Sequence, residues 1–454
     1  MTSNVSPYFD RDGLLVADLT ADVMRWVDCG YNEMTSQMFA YADGVWRQGE
    51  TAVEKHVAFL LGNRYRMAHS KTVLELIRLS DDTVAIDCHP QSRYINVPNG
   101  MLDWQSDLLG SHSPLNRSTV QVPVEYHPEA LCPSIDRFFE QVLPPDCIEF
   151  IWEVIGYALY AGNPLHVAVL LCGKGRNGKG TFIRLLKALL GDENCSAVSL
   201  HDLTENRFRA ATLYGKLANL AGDLEARWIT NTAVFKAITG GDTIQAEHKF
   251  GAAFDFTPWA LPIYSTNKIF GSSDSSEGWF ERWLIVPFPN MFTEADGSQH
   301  KRPQNELDGE LHEKSELQGM LAHGVRSLRT LMARGHFLQP ASIAEAKAQF
   351  IAKANPVRSW VTEHCAQGSA EAWTSRSVLY SAYEQSALID EEVKLLSAQK
   401  FYERIEEISG VTPLKRNGQR GFKGIALKTD SPADRKAEPK TAPRPRAQTA
   451  RSEW

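Results

Sequence analysis

A glycine-rich stretch at 170–190, LLCGKGRNGKGTFIRLLKALL, carries the residue types of a phosphate-binding loop. Gly173, Gly178 and Lys179 match a spacing of one glycine, four residues, a second glycine and a lysine. In that pattern the backbone N–H groups of the loop cradle phosphates, and the lysine pairs with the β- and γ-phosphates. The motif alone is weak evidence, because glycine and lysine are common enough for it to arise by chance.

The sequence around the loop strengthens this interpretation. The run HVAVLLC at 166–172 is almost entirely apolar, as a parallel strand covered on both faces requires. The run TFIRLLKALL at 181–190 then places its large apolar residues on one helical face. A strand, a glycine loop and a helix start in this order point backbone N–H groups at a phosphate. The residues predicted to bind the nucleotide are Gly173, Lys174, Gly175, Arg176, Asn177, Gly178, Lys179, Gly180 and Thr181.

The residue after the lysine departs from the strict pattern. Gly180 stands where Ser or Thr is expected, and Thr181 follows it. The hydroxyl at this position normally binds Mg²⁺. Either Thr181 reaches the metal from one residue further along, or a water molecule takes the place of the hydroxyl.

Polar residues also follow later apolar runs. Asp223 ends the run KLANLAGD, and Glu225 comes two residues later, where an acid that holds Mg²⁺ and polarises the attacking water is expected. Asn267 ends the run WALPIYSTN, in which Pro262 predicts a bulge or an edge strand. Arg282 directly precedes the run WLIVPFP. Asp223 is thus the candidate metal ligand of this region.

The composition of the whole chain limits the function classes. The 454 residues are 43% hydrophobic and 23% charged, with a formal net charge of -7, so any DNA contact must come from local basic patches of an ordinary globular protein. The seven cysteines include no C-x-x-C pair, which favours a reducing compartment and predicts no zinc site. The amino terminus lacks the layout of a signal peptide. Charged residues and a proline interrupt the apolar region 148–172, which predicts a buried helix and strand in a cytoplasmic protein.

Residue periodicity divides the chain into segments. The dipeptides Asp-Gly at 43–44 and Asn-Gly at 99–100 lie between apolar runs and predict hairpins. Apolar strands alternate with amphipathic helices over 151–300, which predicts an α/β sheet. Residues 305–355 have helical periodicity, and the tail 431–454 has the Pro-, Ala- and charge-rich composition of a disordered segment.

A basic hairpin is predicted near the C-terminus. Two amphipathic helices, SVLYSAYEQSALI and SAQKFYERIEEIS, precede the stretch LKRNGQRGFKG, in which Asn-Gly at 417–418 supports a tight turn. This order fits a winged helix, and glutamates on the second helix make the hairpin the better DNA contact. The alternative is a solvated basic loop. The predicted DNA-contact residues of the hairpin are Lys415, Arg416, Arg420 and Lys423.

Taken in order, several of these segments resemble the superfamily 3 helicase core of phage, plasmid and poxvirus primase–helicases. The resemblance runs through GKGRNGKGTF, GKLANLAGDL, FKAITGGDTI, EHKF, STNKIF and SDSSEGWFERWLIVPF. It implies an α/β fold with a P-loop AAA+-like helicase core, an N-terminal mixed α+β accessory domain and a C-terminal winged-helix-like unit. The implied boundaries are 1–145 for the accessory domain, 146–300 for the ATPase core, 301–355 for a helical segment, 356–430 for the winged-helix-like unit and 431–454 for the tail.

The resemblance also implies roles for single residues. Lys179 corresponds to the phosphate lysine. Asp223 corresponds to the principal acid that binds Mg²⁺, and Thr181 would be a second metal ligand. Glu225 falls in a part of the family pattern that is less strict. Asn267 resembles the sensor that orients water against the γ-phosphate.

Other roles concern neighbouring subunits and DNA. Arg282 resembles an arginine finger that acts on a neighbouring subunit's nucleotide, which implies a ring and most simply a hexamer. Lys249 matches a residue on a central-channel hairpin that touches the DNA backbone. Lys236 is either a second group at the subunit interface or a surface lysine.

These features predict an ATP-driven, ring-forming replicative DNA helicase of a phage or mobile element. It would use ATP and Mg²⁺, act on single-stranded and forked DNA, and work beside a separate primase or polymerase. Because about 15 to 40 residues precede the resemblance, too few for a polymerising active site, primer synthesis by this chain is not expected. A nucleotide-ordered DNA-binding initiator or loader with weak hydrolysis is the main alternative, and a nucleotide-gated defence or regulatory assembly is the other.

Overall fold

The chain divides into two compact units, residues 1–355 and residues 356–454. The structure, a computed structural model, describes residues 7–87, 92–225, 227, 229, 231–247, 252–272, 274, 276–292, 302–369, 371–389 and 395–428. The predicted disordered tail at 431–454 and the predicted DNA contact Lys249 lie outside the described residues.

The first part of unit 1 combines three helices with two small sheets and ends in a fourth helix. One sheet has the strand order β3-β2-β1-β4 and the other the order β5-β6-β7. The elements are α1 (Val16–Trp26), β1 (Cys29–Asn32), β2 (Gln37–Ala42), β3 (Val45–Gln48), α2 (Thr51–Leu61), α3 (Met67–Arg78), β4 (Val84–Ala85), β5 (Tyr94–Val97), β6 (Gly100–Asp103), β7 (Leu108–Gly110) and α4 (Pro133–Val142).

Both predicted hairpins form, but the second turn differs from the prediction. Between β2 and β3, Asp43 and Gly44 have φ values of 51° and 84°, as a two-residue hairpin turn of this hand requires. In the second hairpin Val97 already pairs with Gly100, so the turn consists of residues 98–99. Gly100 serves a close approach instead, because a Cβ there would lie 2.4 Å from the carbonyl oxygen of Gly110.

A parallel five-stranded sheet forms the centre of unit 1, with the strand order β14-β8-β13-β10-β9. Large apolar clusters cover its two faces, and this confirms the predicted mixed α/β fold. The elements are α5 (Ile148–Leu159), β8 (Ala168–Cys172), α6 (Lys179–Leu190), β9 (Cys195–Ser196), α7 (Leu200–Glu205), α8 (Arg207–Ala210), β10 (Ala218–Leu224), α9 (Ala233–Gly240), β11 (Ile244–Glu247), β12 (Ala253–Phe256), β13 (Leu261–Thr266), α10 (Glu277–Glu281) and β14 (Trp283–Pro287).

The prediction of an edge or bulged strand at Pro262 is wrong. β13 lies in the middle of the sheet, between β8 and β10. Its pairing with β8 begins at Ile263, one residue after the proline. Proline is tolerated here because it stands at the start of the strand, where its missing N–H interrupts no ladder with β8.

The predicted helical segment consists of α11 (Gln304–Leu311), α12 (Lys314–Arg334) and α13 (Ala341–Ala354). α12 packs closely on the buried helix α5, since a Cβ on Gly156 would lie 2.3 Å from the carbonyl oxygen of Gly324. In the described part of the chain, none of the helices has the length and apolar character of a membrane span.

Unit 2 is a small α+β unit with its own aromatic core. Trp360, Tyr383 and Phe401 are buried and pack together with ring centroids within 5.7 Å; Tyr383 stacks on Phe401, and Trp360 meets both rings edge-on. Strands β16, β18 and β17 form one sheet in that order, and β15 pairs with β19. The elements are α14 (Pro356–His364), β15 (Cys365–Gln367), β16 (Trp373–Ser375), α15 (Arg376–Ile389), α16 (Ala398–Glu406), β17 (Thr412–Arg416), β18 (Gln419–Lys423) and β19 (Ile425–Leu427).

Candidate nucleotide site

The glycine-rich loop connects β8 to the first residue of α6. Gly175 and Gly178 have φ values of 100° and 91°, which glycine adopts without strain. Asn177 is buried and donates a hydrogen bond of 3.1 Å from Nδ2 to the carbonyl oxygen of Phe288. Gly173 leaves room for this contact, because a Cβ there would lie 1.9 Å from the Asn177 amide nitrogen. The loop is therefore anchored to the chain that follows β14.

Lys179 begins α6 and turns its ammonium group back over the loop. The group donates hydrogen bonds to the carbonyl oxygen of Gly173 at 2.7 Å, to Asn177 Oδ1 at 2.9 Å and to Asn267 Oδ1 at 3.0 Å. Burial lowers the pKa of Lys179 from its ordinary value, while the charge of Asp223 acts in the opposite direction. Contact with an anion would stabilise the charged form of Lys179, because three neutral oxygens only partly replace its hydration.

Asp223 lies on β10 close to the end of the sheet from which the loop emerges. The register of β10 against β13 shifts between Ala221 and Leu224, and Asp223 within this irregularity has a φ of 48°. Its backbone N–H donates to Ser265 Oγ at 3.1 Å. The side chain is exposed, as is that of Glu225 one residue beyond the strand. The structure thus brings Lys179, Asn267 and Asp223 together at the carboxyl ends of the parallel strands, where α/β proteins bind ligands.

Thr181 has a partner that the loop pattern does not indicate. Arg184 donates from Nη2 to Thr181 Oγ1 at 3.1 Å and pairs with Asp308 through Nε at 2.9 Å. A Cβ on Gly180 would lie 3.3 Å from the same guanidinium. Arg184 is three residues beyond Thr181 on α6, a spacing that could have suggested the contact. Asp308 on α11 gave no such signal, since it lies 124 residues away in sequence.

Arg282 lies at the end of the sheet where the parallel strands begin, opposite to the end that carries Lys179. It immediately precedes β14, whose first residue, Trp283, pairs with Ala168 at the start of β8. The lysine loop follows the other end of that strand, about 16 Å away at ~3.3 Å per residue. The guanidinium donates to Thr239 Oγ1 at 3.0 Å and to the carbonyl oxygen of Gly278. Within one chain, Arg282 does not join the site formed around Lys179.

The two lysines predicted to act at a subunit interface or on DNA, Lys236 and Lys249, lie outside the cluster around Lys179 in sequence. Lys236 forms an ion pair with Asp274 and donates to Ser276 Oγ at 3.2 Å. Burial alone would raise the pKa of Asp274, but hydrogen bonds from Lys236 and neighbouring hydroxyls bring it below its usual range. β11 and β12 form an antiparallel hairpin, and Lys249 lies in the segment between them that is not described.

The basic hairpin of unit 2 consists of β17 and β18. Asn417 and Gly418 at its tip have φ values of 49° and 83°, as the sequence predicted for a tight turn. Lys415 and Arg420 are directly paired across the two strands and share one face. Alternation of side chains along the strands puts Arg416 and Lys423 on the other face. All four basic side chains are exposed.

Two protein families match parts of this chain. The family described as "D5 N terminal like" matches residues 24–144, and a "Family of unknown function (DUF5906)" matches residues 171–282. The second range contains the glycine-rich loop, Asp223, Asn267 and Arg282.

Similar proteins bear helicase names. The chain is 25% identical over 210 residues to the helicase-named protein L207/L206 of Acanthamoeba polyphaga mimivirus, covering 44% of this chain and 22% of that protein. It is 23% identical over 184 residues to the helicase-named protein 121R of Invertebrate iridescent virus 3, covering 38% of this chain and 19% of that protein. The chain thus spans about a fifth of the length of these curated relatives.

The fold is also similar to a solved structure. The apo structure of the NrS-1 C-terminal region superposes with a TM-score of 0.50 at 12% identity and covers 89% of this chain and 98% of that chain. This match concerns the fold alone. The matching family segments and the helicase-named viral relatives support a relationship of the chain to the phage and viral primase–helicase family, and the solved structure adds a likeness in fold.

Proposed function

We propose that the chain is an ATP-dependent, ring-forming replicative DNA helicase of a phage or related mobile element. The observation that carries the proposal is the meeting of Lys179, Asn267 and Asp223 at the carboxyl edge of a parallel sheet, with Arg282 at the opposite edge. A phosphate-binding lysine, an acid and an amide are the groups that phosphoryl transfer needs beside the loop. The proposed compartment is the cytoplasm of the host cell.

ATP and Mg²⁺ fit the residues of this edge. The loop residues 173–178 and the start of α6 would hold the phosphates, and Lys179 would exchange its neutral oxygen partners for phosphate oxygens. The exposed carboxylate of Asp223 has no ion-pair partner among the described residues and would hold Mg²⁺, which supplies charge neutralisation on the β- and γ-phosphates. Asn267 would orient the attacking water, and Glu225 would support this role.

The position of Arg282 supports hydrolysis that depends on a neighbouring subunit. An arginine one strand length away from the phosphate loop can act on a nucleotide only if that nucleotide is bound by another copy. A head-to-tail contact of this kind closes into a ring when the rotation between copies allows it. Hydrolysis would then be coupled to the position of the neighbour, and a hexamer is the ring size we propose.

DNA contact is proposed for two sites. Lys249, between β11 and β12, would contact the backbone of the translocated strand, since phosphate contacts carry no sequence preference. The exposed residues Lys415, Arg416, Arg420 and Lys423 of unit 2 would contact duplex or forked DNA. We further propose that this protein acts beside a separate primase or polymerase.

A second candidate function is a nucleotide-ordered initiator or loader with weak hydrolysis. The observation that favours it is the absence of a hydroxyl at Gly180 together with the contact of Thr181 Oγ1 with Arg184, which competes with Mg²⁺ for that oxygen. In this case ATP would order the ring without driving it along DNA.

The two functions are separated by ATPase and strand-displacement assays of the same preparation. The helicase proposal requires ATPase activity stimulated by single-stranded DNA and displacement of one strand of a forked duplex. Lys179→Ala should abolish both, and Lys187→Ala, which removes a half-buried lysine of the same helix paired with Asp192, should abolish neither. DNA binding without displacement, unchanged by Asp223→Ala, would instead support the loader.

A further inference from the structure

Three side chains of metal-ligand type, none of them a residue of the glycine-rich loop, meet in unit 1. Cys132, Asp136 and His323 offer a sulfur, a carboxylate oxygen and a ring nitrogen that all lie within 4.8 Å of one another. Cys132 is only 2% exposed, and the other two side chains are partly buried. None of the three ligand atoms makes a hydrogen bond to another described residue.

Local structure directs two of these side chains to the same side of α4. Cys132 is the residue immediately before the helix, and Pro133 at the first helical position sets its start. Asp136 follows Cys132 by four residues, a spacing that places both side chains one above the other. The pair is therefore preorganised by the helix itself.

α12 brings the third side chain to this pair. Gly319 is four residues before His323, so both lie on the α12 face that meets the start of α4. A Cβ on Gly319 would lie 2.2 Å from the carbonyl carbon of Leu131 and 2.6 Å from the nitrogen of Cys132. This close approach fixes the distance between the two helices at the cluster.

Neighbouring side chains hold the cluster in place. Glu316, on the same face of α12, accepts hydrogen bonds from the backbone N–H groups of Ser134 and Ile135, both at 3.1 Å. The ring of Trp152 stacks on His323 with 3.9 Å between centroids. Stacking on Trp152 thus holds the His323 ring, and Glu316 fixes the first turn of the helix whose start carries Cys132 and Asp136.

We propose that Cys132, Asp136 and His323 bind a zinc ion that joins α4 to α12. A donor set of one thiolate, one imidazole and one carboxylate suits Zn²⁺, because the thiolate is too soft for Mg²⁺ or Ca²⁺. Three protein ligands leave a fourth tetrahedral position for water. The site runs against the expectation drawn from the lack of a C-x-x-C pair, because its ligands come from one helix start and a distant histidine.

The proposal is tested by titrating the full chain, after treatment with a chelator, with Co²⁺ and then with Zn²⁺. We expect one equivalent of Co²⁺ to produce a thiolate-to-cobalt charge-transfer absorption, and Zn²⁺ to abolish it by displacement. A wild-type chain that gives no such absorption and retains no zinc at purification would overturn the proposal.

Variants identify the ligands. Cys132→Ser and His323→Ala should lose the absorption, while Cys147→Ser, which alters another buried cysteine of unit 1, should keep it. Asp136→Asn preserves side-chain size and should weaken Co²⁺ binding about tenfold or more, which provides a readout if Cys132→Ser does not fold. Absorption that persists in Cys132→Ser, or that disappears in Cys147→Ser, contradicts the assignment.

Discussion

The ammonium group of Lys179 donates a hydrogen bond of 3.0 Å to Asn267 Oδ1, although 88 residues separate the two in sequence. The bond links the glycine-rich loop after β8 to the end of the neighbouring strand β13. The lysine proposed to contact phosphate is thereby tied to the amide proposed to orient water. If binding or loss of a phosphate moves one of these side chains, the hydrogen bond between them changes and the other side chain is displaced as well.

Substitutions of Asn267 separate its two contacts. Asn267→Ala should leave ATP binding nearly unchanged and reduce kcat about 10²-fold, the usual cost of removing one preorganised polar group. Asn267→Asp should instead weaken ATP binding about tenfold, or ~1.4 kcal/mol, because a carboxylate held near Lys179 competes with the phosphates. Calorimetric ATP binding and steady-state ATPase rates measure both effects. Equal ATP affinity in the two variants would contradict this assignment.

A rescue experiment tests whether the hydroxyl of Thr181 takes over the role that the loop pattern gives to a Ser or Thr at position 180. Thr181→Val should reduce Mg²⁺-dependent ATPase activity about tenfold or more if this hydroxyl takes part in metal binding. The double variant Thr181→Val, Gly180→Ser should recover activity, because a side chain at 180 meets only the flexible Arg184, at 3.3 Å. Activity is measured over a range of Mg²⁺ concentrations. If Thr181→Val has wild-type activity, a water molecule replaces the hydroxyl and Thr181 is not a metal ligand.

The placement of Arg282 predicts complementation between two inactive variants. Lys179→Ala and Arg282→Ala chains should each lack DNA-stimulated ATPase activity, and a mixture of the two should regain part of it. In an equal mixture, roughly a quarter of the subunit contacts of a ring would combine an intact Lys179 with a neighbour's intact Arg282. ATPase assays of the mixture and of each variant alone provide the measurement.

An inactive Arg282→Ala variant could have lost its fold, or it could have lost only the proposed action of Arg282 on a neighbouring subunit's nucleotide. Arg282→Ala removes a hydrogen bond to Thr239, at a cost of about 1.5–3 kcal/mol for a charged donor. Thermal melting and ATP binding report whether the variant keeps its fold and its own site. A folded variant with full DNA-stimulated turnover would rule out Arg282 as an arginine finger.

The basic hairpin is tested through the salt dependence of DNA binding. Lys415→Ala with Arg420→Ala removes the directly paired basic residues of one face. The slope of log affinity against log salt concentration should become shallower by about 0.9 for each duplex phosphate that the variant no longer neutralises, or about 0.7 on a single strand. The matched control is Lys400→Ala, which removes an exposed lysine from α16. An unchanged slope in the double variant would indicate a solvated loop.

The sequence by itself determined the local parts of this protein. The apolar run before the loop, the glycines within it and the amphipathic helix after it predicted β8, the loop and α6, because each depends on neighbouring residues. The tight turns at 43–44 and 417–418 were predicted for the same reason. Gly100 was misassigned to a turn since the strand that requires a glycine there, β7, comes only later in the chain.

Only the tertiary structure decided which of these parts meet. Strand order places β8 between β13 and β14, and this brings Asn267 to Lys179 and keeps Arg282 one strand length away. The ion pair of Arg184 with Asp308 and the cluster formed by Cys132 and His323 likewise join distant segments. Residue periodicity records which face of an element is buried, but the partner that buries it depends on the packing of the whole chain.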